Sequence, residues 1–323
     1  MKQCHRDKKY TIEVPFYADS MERFARINQI DNIGVTLYGG IPNSPFNGGR
    51  ANFMLDGLFL LDRFFMRLRK EQLARLMSKF YDTVTKANQN NIPVCIALTN
   101  IFIHDEELTE ENLYPIQFLV ESSQKYGVKN GVILNNKRLE DIVRQRHEDR
   151  LIYVSSCTKY VSPHKLLSPR DTQNMYQEDS GKYDYIVLTP QDSRREKVLK
   201  NVLQNNKSEV VALCNIFCSN SCNTYGHYEL FSQLNKTSLL KIRPTVDLVR
   251  VFKYAFSKVF VCPYYRTLFY GPKIEANIKL QLRAGVTNFK LGRGLGQSVI
   301  GKLVSLIQEH EREKKNDQQP VHQ

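Results

Sequence analysis

The chain of 323 residues has no tryptophan and only seven cysteines, too few for a disulfide scaffold at this length. It also lacks any apolar run near the ~20 residues that a membrane-spanning helix requires. The longest candidate, around 58–65, is interrupted by Asp62 and Arg63. No apolar segment follows the charged N-terminus, so we expect no secretion signal. Together these absences predict a cytoplasmic protein that does not enter a membrane.

Familiar catalytic signatures are missing as well. The sequence has no Ser–His–Asp order of the serine-hydrolase kind and no HExxH zinc motif. Lys and Arg (46) outnumber Asp and Glu (33), which gives a formal net charge of +13. That balance permits a polyanionic partner such as RNA. The basic stretches lie on predicted helices, however, where solvated surface is the more common explanation.

Short runs rich in β-branched residues alternate with amphipathic stretches through most of the chain. Several runs are continuously apolar, which is typical of parallel strands buried on both faces. The predicted strands are 33–37, 93–98, 131–134, 151–154, 185–188, 209–213, one segment within 259–270, and 288–291. The predicted helices are 71–88, one capped by Thr109 that runs through Val120, 137–146, 193–203, 226–234, 274–284 and 297–310.

This alternation predicts an α/β fold, a (β/α)8 TIM-like barrel of parallel strands with surrounding helices. A doubly wound open sheet is the alternative. We expect residues 1–32 to form an N-terminal extension, 33–310 the barrel and 311–323 a disordered polar tail.

The most informative segment is VALCNIFCSNSCNTYGHY, which begins at Val211. It places Cys214, Cys218 and Cys222 within nine residues, where a predicted strand ends and a polar loop begins. In a barrel, chemistry is found at this end of the strands. Three thiols in one loop suit an iron–sulfur cluster or zinc, with Cys262 or Cys157 as the fourth ligand. Buried structural thiols are the competing explanation.

Several motifs, taken in order, resemble the bacterial collagenase-like peptidases of family U32. The first is Cys218-Ser-Asn-Ser-Cys222, which continues to a His227-Tyr228 pair, and the second is the late Cys262. The third is a closing strand of the form Phe-Lys-Leu-Gly-Arg, here 289–293. A Tyr-Gly-Gly strand end at 38–40 and a Gly-Gly-Arg loop at 48–50 also fit.

The resemblance implies a TIM barrel. It further implies a four-iron, four-sulfur cluster on Cys214, Cys218, Cys222 and Cys262, used for oxygen-independent hydroxylation of RNA bases or small aromatic compounds. Other members of the family are described as proteases. A collagenase-like peptidase and a non-enzymatic protein that binds a protein partner therefore remain alternatives.

Glycines and arginines predict an anion site. Gly292-Arg293-Gly294 follows the last predicted strand and opens the last helix, where backbone N–H groups can face an anion. Arg50 follows the first predicted strand, so the two arginines could hold a carboxylate or phosphate of the substrate. A tight structural turn is the alternative explanation for the glycines.

Overall fold

A computed structural model describes residues 8–16, 20–48, 70–160, 168–216, 232, 271–292 and 296–317. Eight parallel strands form a closed barrel in which each strand pairs with the next and β8 pairs with β1. The strands are β1 Tyr10–Pro15, β2 Ile33–Gly39, β3 Val94–Leu98, β4 Gly131–Leu134, β5 Ile152–Ser155, β6 Tyr185–Val187, β7 Glu209–Leu213 and β8 Asn288–Lys290. The prediction of a (β/α)8 TIM barrel is confirmed.

Each strand is followed along the described chain by an α-helix. The helices are α1 Met21–Asn28, α2 Lys70–Gln89, α3 Glu110–Tyr126, α4 Lys137–His147, α5 Pro169–Asp179, α6 Glu196–Asn205, α7 Gly271–Ala284 and α8 Gly296–Asp317. None of them is long and apolar enough to cross a bilayer.

Local sequence signals explain where several helices begin and end. The Thr109 side chain accepts a hydrogen bond from the Asn112 backbone at the start of α3, and the Asn136 side chain accepts one from Leu139 at the start of α4. Both side chains satisfy backbone donors that the first turn leaves unpaired. Gly127 and Gly285 follow α3 and α7 with φ of 69° and 95°, the left-handed conformation that favours glycine.

The first strand is not where the sequence pattern put it. Residues 10–15, expected in an N-terminal extension, form β1 between β2 and β8. The segment YTIEVP alternates: Tyr10, Ile12 and Val14 pack against the helices, so Thr11 and Glu13 face the barrel interior. The charged residue at an interior position interrupts the continuous apolar run that is typical of a barrel strand, so the pattern did not reveal β1.

The prediction that a segment within 259–270 forms a strand of the barrel is also wrong. β7 and β8 are hydrogen-bonded directly, through the register Val211↔Asn288 and Leu213↔Lys290, so no strand lies between them. The segment itself, like the helix predicted at 226–234, lies outside the described residues. At the C-terminus α8 extends to Asp317, into the region expected to be a tail.

Two apolar layers pack against the two faces of the barrel wall. The larger one lies between strands and helices and includes Val210, Ala212 and Cys214 of the β7 region. The smaller one fills the interior and includes Val211 and Leu213 of the same strand. This alternation along β7 decides which way each side chain near the candidate site points.

Candidate active site

Several side chains near the carboxyl ends of the described strands are partly exposed. Ala97, Cys157 and Ile216 pack on the interior apolar cluster and are each partly exposed, as is Asn135 just beyond β4. We call these four residues the barrel mouth. Asn135 donates a hydrogen bond to Thr158 Oγ1 at 3.0 Å, which ties the ends of β4 and β5 together. In TIM barrels this end of the barrel is where substrates bind.

Below the mouth lies a buried charged pair. Glu13 of β1 and Lys290 of β8 are register partners and form an ion pair, with only 5% and 7% of each residue exposed. Lys290 Nζ also lies 3.7 Å from the ring centroid of Tyr38, a cation–π contact. The Tyr38 hydroxyl donates to the backbone carbonyl of Leu291, which fixes the ring. We call Glu13, Tyr38 and Lys290 the barrel floor.

Two thiols lie near the barrel floor. Burial raises the pKa of Cys157 to about 11, with Lys290 lowering it and Glu13 raising it. Burial raises the pKa of the Cys95 thiol further, again with opposing effects of Glu13 and Lys290. Both thiols are therefore protonated near neutral pH.

The end of β7 holds Cys214 tightly. Its backbone N–H donates to Lys290 O at 3.0 Å, and its carbonyl accepts from Asn277 Nδ2 of α7 at 2.8 Å. The side chain is fully buried in the layer between strands and helices, where burial raises the pKa of the thiol well above its ordinary value. The Cys214 thiol therefore faces the helices and not the barrel interior, and its predicted role as a metal ligand stays a prediction.

Two of the cysteines predicted as ligands of one cluster, Cys157 and Cys214, do not lie side by side. Cys157 belongs to the interior cluster and Cys214 to the outer layer, so they lie on opposite faces of the barrel wall. Cys218, Cys222 and Cys262 lie outside the described residues and stay predictions. Within the described part of the chain, no group of three or more His, Cys, Asp or Glu side chains is placed to hold a metal ion.

Gly292 is the predicted anion-site residue whose surroundings are described. Its N–H donates to Asn215 Oδ1 at 2.6 Å, so this donor is already engaged within the protein. A Cβ at this position would lie 2.7 Å from Ile216 Cγ1, which is why the close approach of the β7 and β8 ends requires glycine. Arg50, Arg293 and Gly294 lie outside the described residues.

The loop after β2 is anchored to the end of β3. Asn100 Nδ2 donates to the carbonyls of Pro45, Asn47 and Ser232 at 3.1–3.2 Å. Ser232 Oγ in turn donates to Gly48 O at 3.2 Å. Ile216 lies at the end of β7, four strands around the barrel from β3, whereas Ser232 lies on the β3 side. Ile216 and Ser232, on opposite sides of the barrel mouth, are therefore separated by only a short stretch of sequence.

Sequence reasoning missed Glu13 and Lys290. Each is a charged residue inside a short run of barrel-strand residues, YTIEVP and NFKLG. In each run the charged residue lies between two apolar residues. Because successive side chains of a strand point to opposite faces, it faces the interior when those neighbours face the helices. That pattern was the available signal, but the pairing of two residues 277 positions apart becomes visible only when the barrel closes.

Comparisons with known proteins add a distant likeness in fold. No protein-family profile matches the chain, and no curated protein matches it. A solved structure described as the U32 peptidase Mk0906 is similar with a TM-score of 0.39 and 13% sequence identity, over 73% of this chain and 82% of that one. That likeness concerns the fold alone.

Proposed function

We propose that this protein is a TIM-barrel enzyme that modifies its substrate at the barrel mouth with the help of a cysteine-bound iron–sulfur cluster. The reaction class is an oxygen-independent hydroxylation of an RNA base or a small anionic aromatic compound. The observation that carries the proposal is the end of β7 at Leu213, on the side of the barrel where TIM barrels bind substrates. In the sequence, the cysteines at 218 and 222 follow within nine residues of this strand end.

The proposed ligands are Cys218, Cys222 and Cys262; Cys214, whose side chain packs in the layer between strands and helices, is left out of the proposed set. The chemistry of the donors supports iron–sulfur or zinc binding, because several thiols close together in sequence are the usual ligands of both. A cluster at this place would supply electron transfer. The partly exposed side chains of the barrel mouth would contact the substrate.

Substrate binding is proposed to use Arg50 and Arg293 as anion anchors, each presenting a bidentate guanidinium to a carboxylate or phosphate. Substituting either arginine by Lys keeps the charge but removes the fork. Binding of a small aromatic acid or of RNA should then weaken while the melting temperature stays within a degree or two of the wild type. A drop in melting temperature without a change in binding would assign the arginines a structural role instead.

Iron and acid-labile sulfide analysis of anaerobically purified variants tests the ligand set. Cys218→Ala, Cys222→Ala and Cys262→Ala should each lose most of the bound iron. Cys214→Ala is the matched control, since it removes a thiol from the same segment but from the apolar layer; it should keep its iron and unfold at a lower temperature. Iron lost in Cys214→Ala and retained in the other three variants would refute this assignment.

A further inference from the structure

The barrel floor contains an arrangement that stability alone does not explain. Glu13 and Lys290 are both at least nine-tenths buried, and Lys290 Nζ lies over the ring of Tyr38. Desolvating two charges offsets much of their mutual attraction, and replacing a buried pair with well-packed apolar residues is often neutral or stabilising. A buried ion pair of this kind is therefore a candidate for a functional role.

The position of the pair favours such a role. Lys290 is the last residue of β8 and lies on the interior side of the barrel wall, where the partly exposed side chains of Ala97, Cys157 and Ile216 also pack. Residues at the carboxyl ends of barrel strands are the ones that reach a bound substrate. A lysine that passes its proton to a neighbouring carboxylate becomes a free amine, which is the form that attacks carbonyl carbons.

We propose that Lys290 is a nucleophilic lysine that forms an imine with a small carbonyl compound at the barrel mouth, with Glu13 as its proton acceptor and donor. This site is distinct from the proposed cluster and needs no oxidant, reductant or metal. Tyr38 lies against the amine, and its hydroxyl is engaged with the Leu291 carbonyl, so its ring serves as a fixed apolar wall.

The step balances within the pair and the carbonyl compound. The ammonium of Lys290 gives a proton to the Glu13 carboxylate, and the free amine adds to the carbonyl carbon, with a proton moving from nitrogen to oxygen to give a neutral carbinolamine. Glu13 then returns its proton to the hydroxyl group, which leaves as water as the nitrogen lone pair forms the C=N bond. The product is a protonated imine beside a carboxylate. The charges of the pair are therefore the same before and after the reaction.

Reductive trapping tests this assignment without knowledge of the natural substrate. The full-length protein is treated with limiting glyoxylate and sodium cyanoborohydride, and modified lysines are located by peptide mass spectrometry. We expect a carboxymethyl group on Lys290 ahead of the exposed lysines. Lys290→Arg keeps a cation opposite Glu13 but cannot form an imine, so this variant should lose the fast labelling.

Two further variants complete the experiment. Glu13→Gln keeps the amine but removes the proton acceptor and should slow labelling of Lys290 by roughly tenfold or more. Lys279→Arg is the surface control, because Lys279 forms an exposed ion pair with Glu275 at 3.1 Å; labelling of Lys290 should be unchanged. Labelling of exposed lysines with Lys290 unmodified would overturn the proposal, as would equal rates in Glu13→Gln and wild type. Neither result depends on iron, so the cluster proposal is tested separately.

Discussion

Three buried side chains, Glu13, Tyr38 and Lys290, determine the chemistry available at the floor of the barrel. Their contacts are made across the β8–β1–β2 seam, where the barrel closes. At the residue scale, the sequence identified the cysteine-rich segment but not the direction of its first thiol. Cys214 faces the helices because Val211 and Leu213 face the interior, and alternation fixes the residue that follows. The polar floor was missed because Glu13 and Lys290 come from opposite ends of the chain and pair only when the barrel closes.

His147 gives a prediction at the same scale. Burial lowers the pKa of its side chain below the ordinary 6.5, assisted by the charges of Arg150 and Arg146. The unfolded chain therefore binds a proton at a higher pH than the folded one, and stability is lost as pH falls below about 6.5. Urea denaturation between pH 7.5 and 5 should show this loss.

The matched variants for this measurement are His147→Gln and His310→Gln. His147→Gln should flatten the dependence of unfolding free energy on pH in that window. His310 lies on α8 and is only partly buried, so its replacement should change the dependence less. An unchanged slope in His147→Gln would show that the buried histidine is not its source.

At the scale of elements, most of the strands and helices followed from local pattern. Seven of the eight predicted strands coincide with β2 to β8, and the cap residues Thr109 and Asn136 act as expected. Helix α5 was missed although Ser168 and Asp171 form a capping box around Pro169 at its start. The sequence PRDTQNMYQED has few apolar residues and therefore no clear amphipathic pattern. Its capping residues nevertheless mark the start of a helix.

The C-terminal glycine of α3 allows a test of one such local signal. Gly127 has φ 69°, and a Cβ added there would contact nothing within 4 Å. The cost of Gly127→Ala is therefore backbone strain alone, about 1 kcal/mol of unfolding free energy. Gly127→Asn should cost less, because asparagine tolerates the left-handed conformation. Equal stability of wild type and Gly127→Ala in urea denaturation would contradict this explanation.

At the scale of the whole molecule, closure of the barrel depends on the N-terminal strand. β1 forms both sides of the seam, pairing with β2 over six residues and with β8 over three. The sequence pattern alone did not reveal β1, because it contains the charged residue Glu13. The presence of that charge is explained only by its partner Lys290, near the other end of the chain. The eight-strand architecture was predictable; the identity of the strand that closes it was not.

Truncation tests this dependence. A chain that begins at residue 33 lacks β1 and α1 and leaves Lys290 without its carboxylate partner. We expect it to show no cooperative thermal unfolding, whereas a chain that ends at Asp317 should unfold like the full-length protein. A cooperative transition in the chain that lacks residues 1–32, at the wild-type temperature, would mean that β1 is dispensable for the barrel.

The proposed function depends on the cluster, and the iron and sulfide content of the anaerobically purified wild-type chain tests it most directly. A cubane on the cysteine-rich segment predicts a brown protein with about four iron and about four sulfide per chain. A colourless protein without iron or sulfide, when isolated and reconstituted under the same conditions, would contradict the proposal, and cleavage of gelatin by that metal-free protein would favour a peptidase instead.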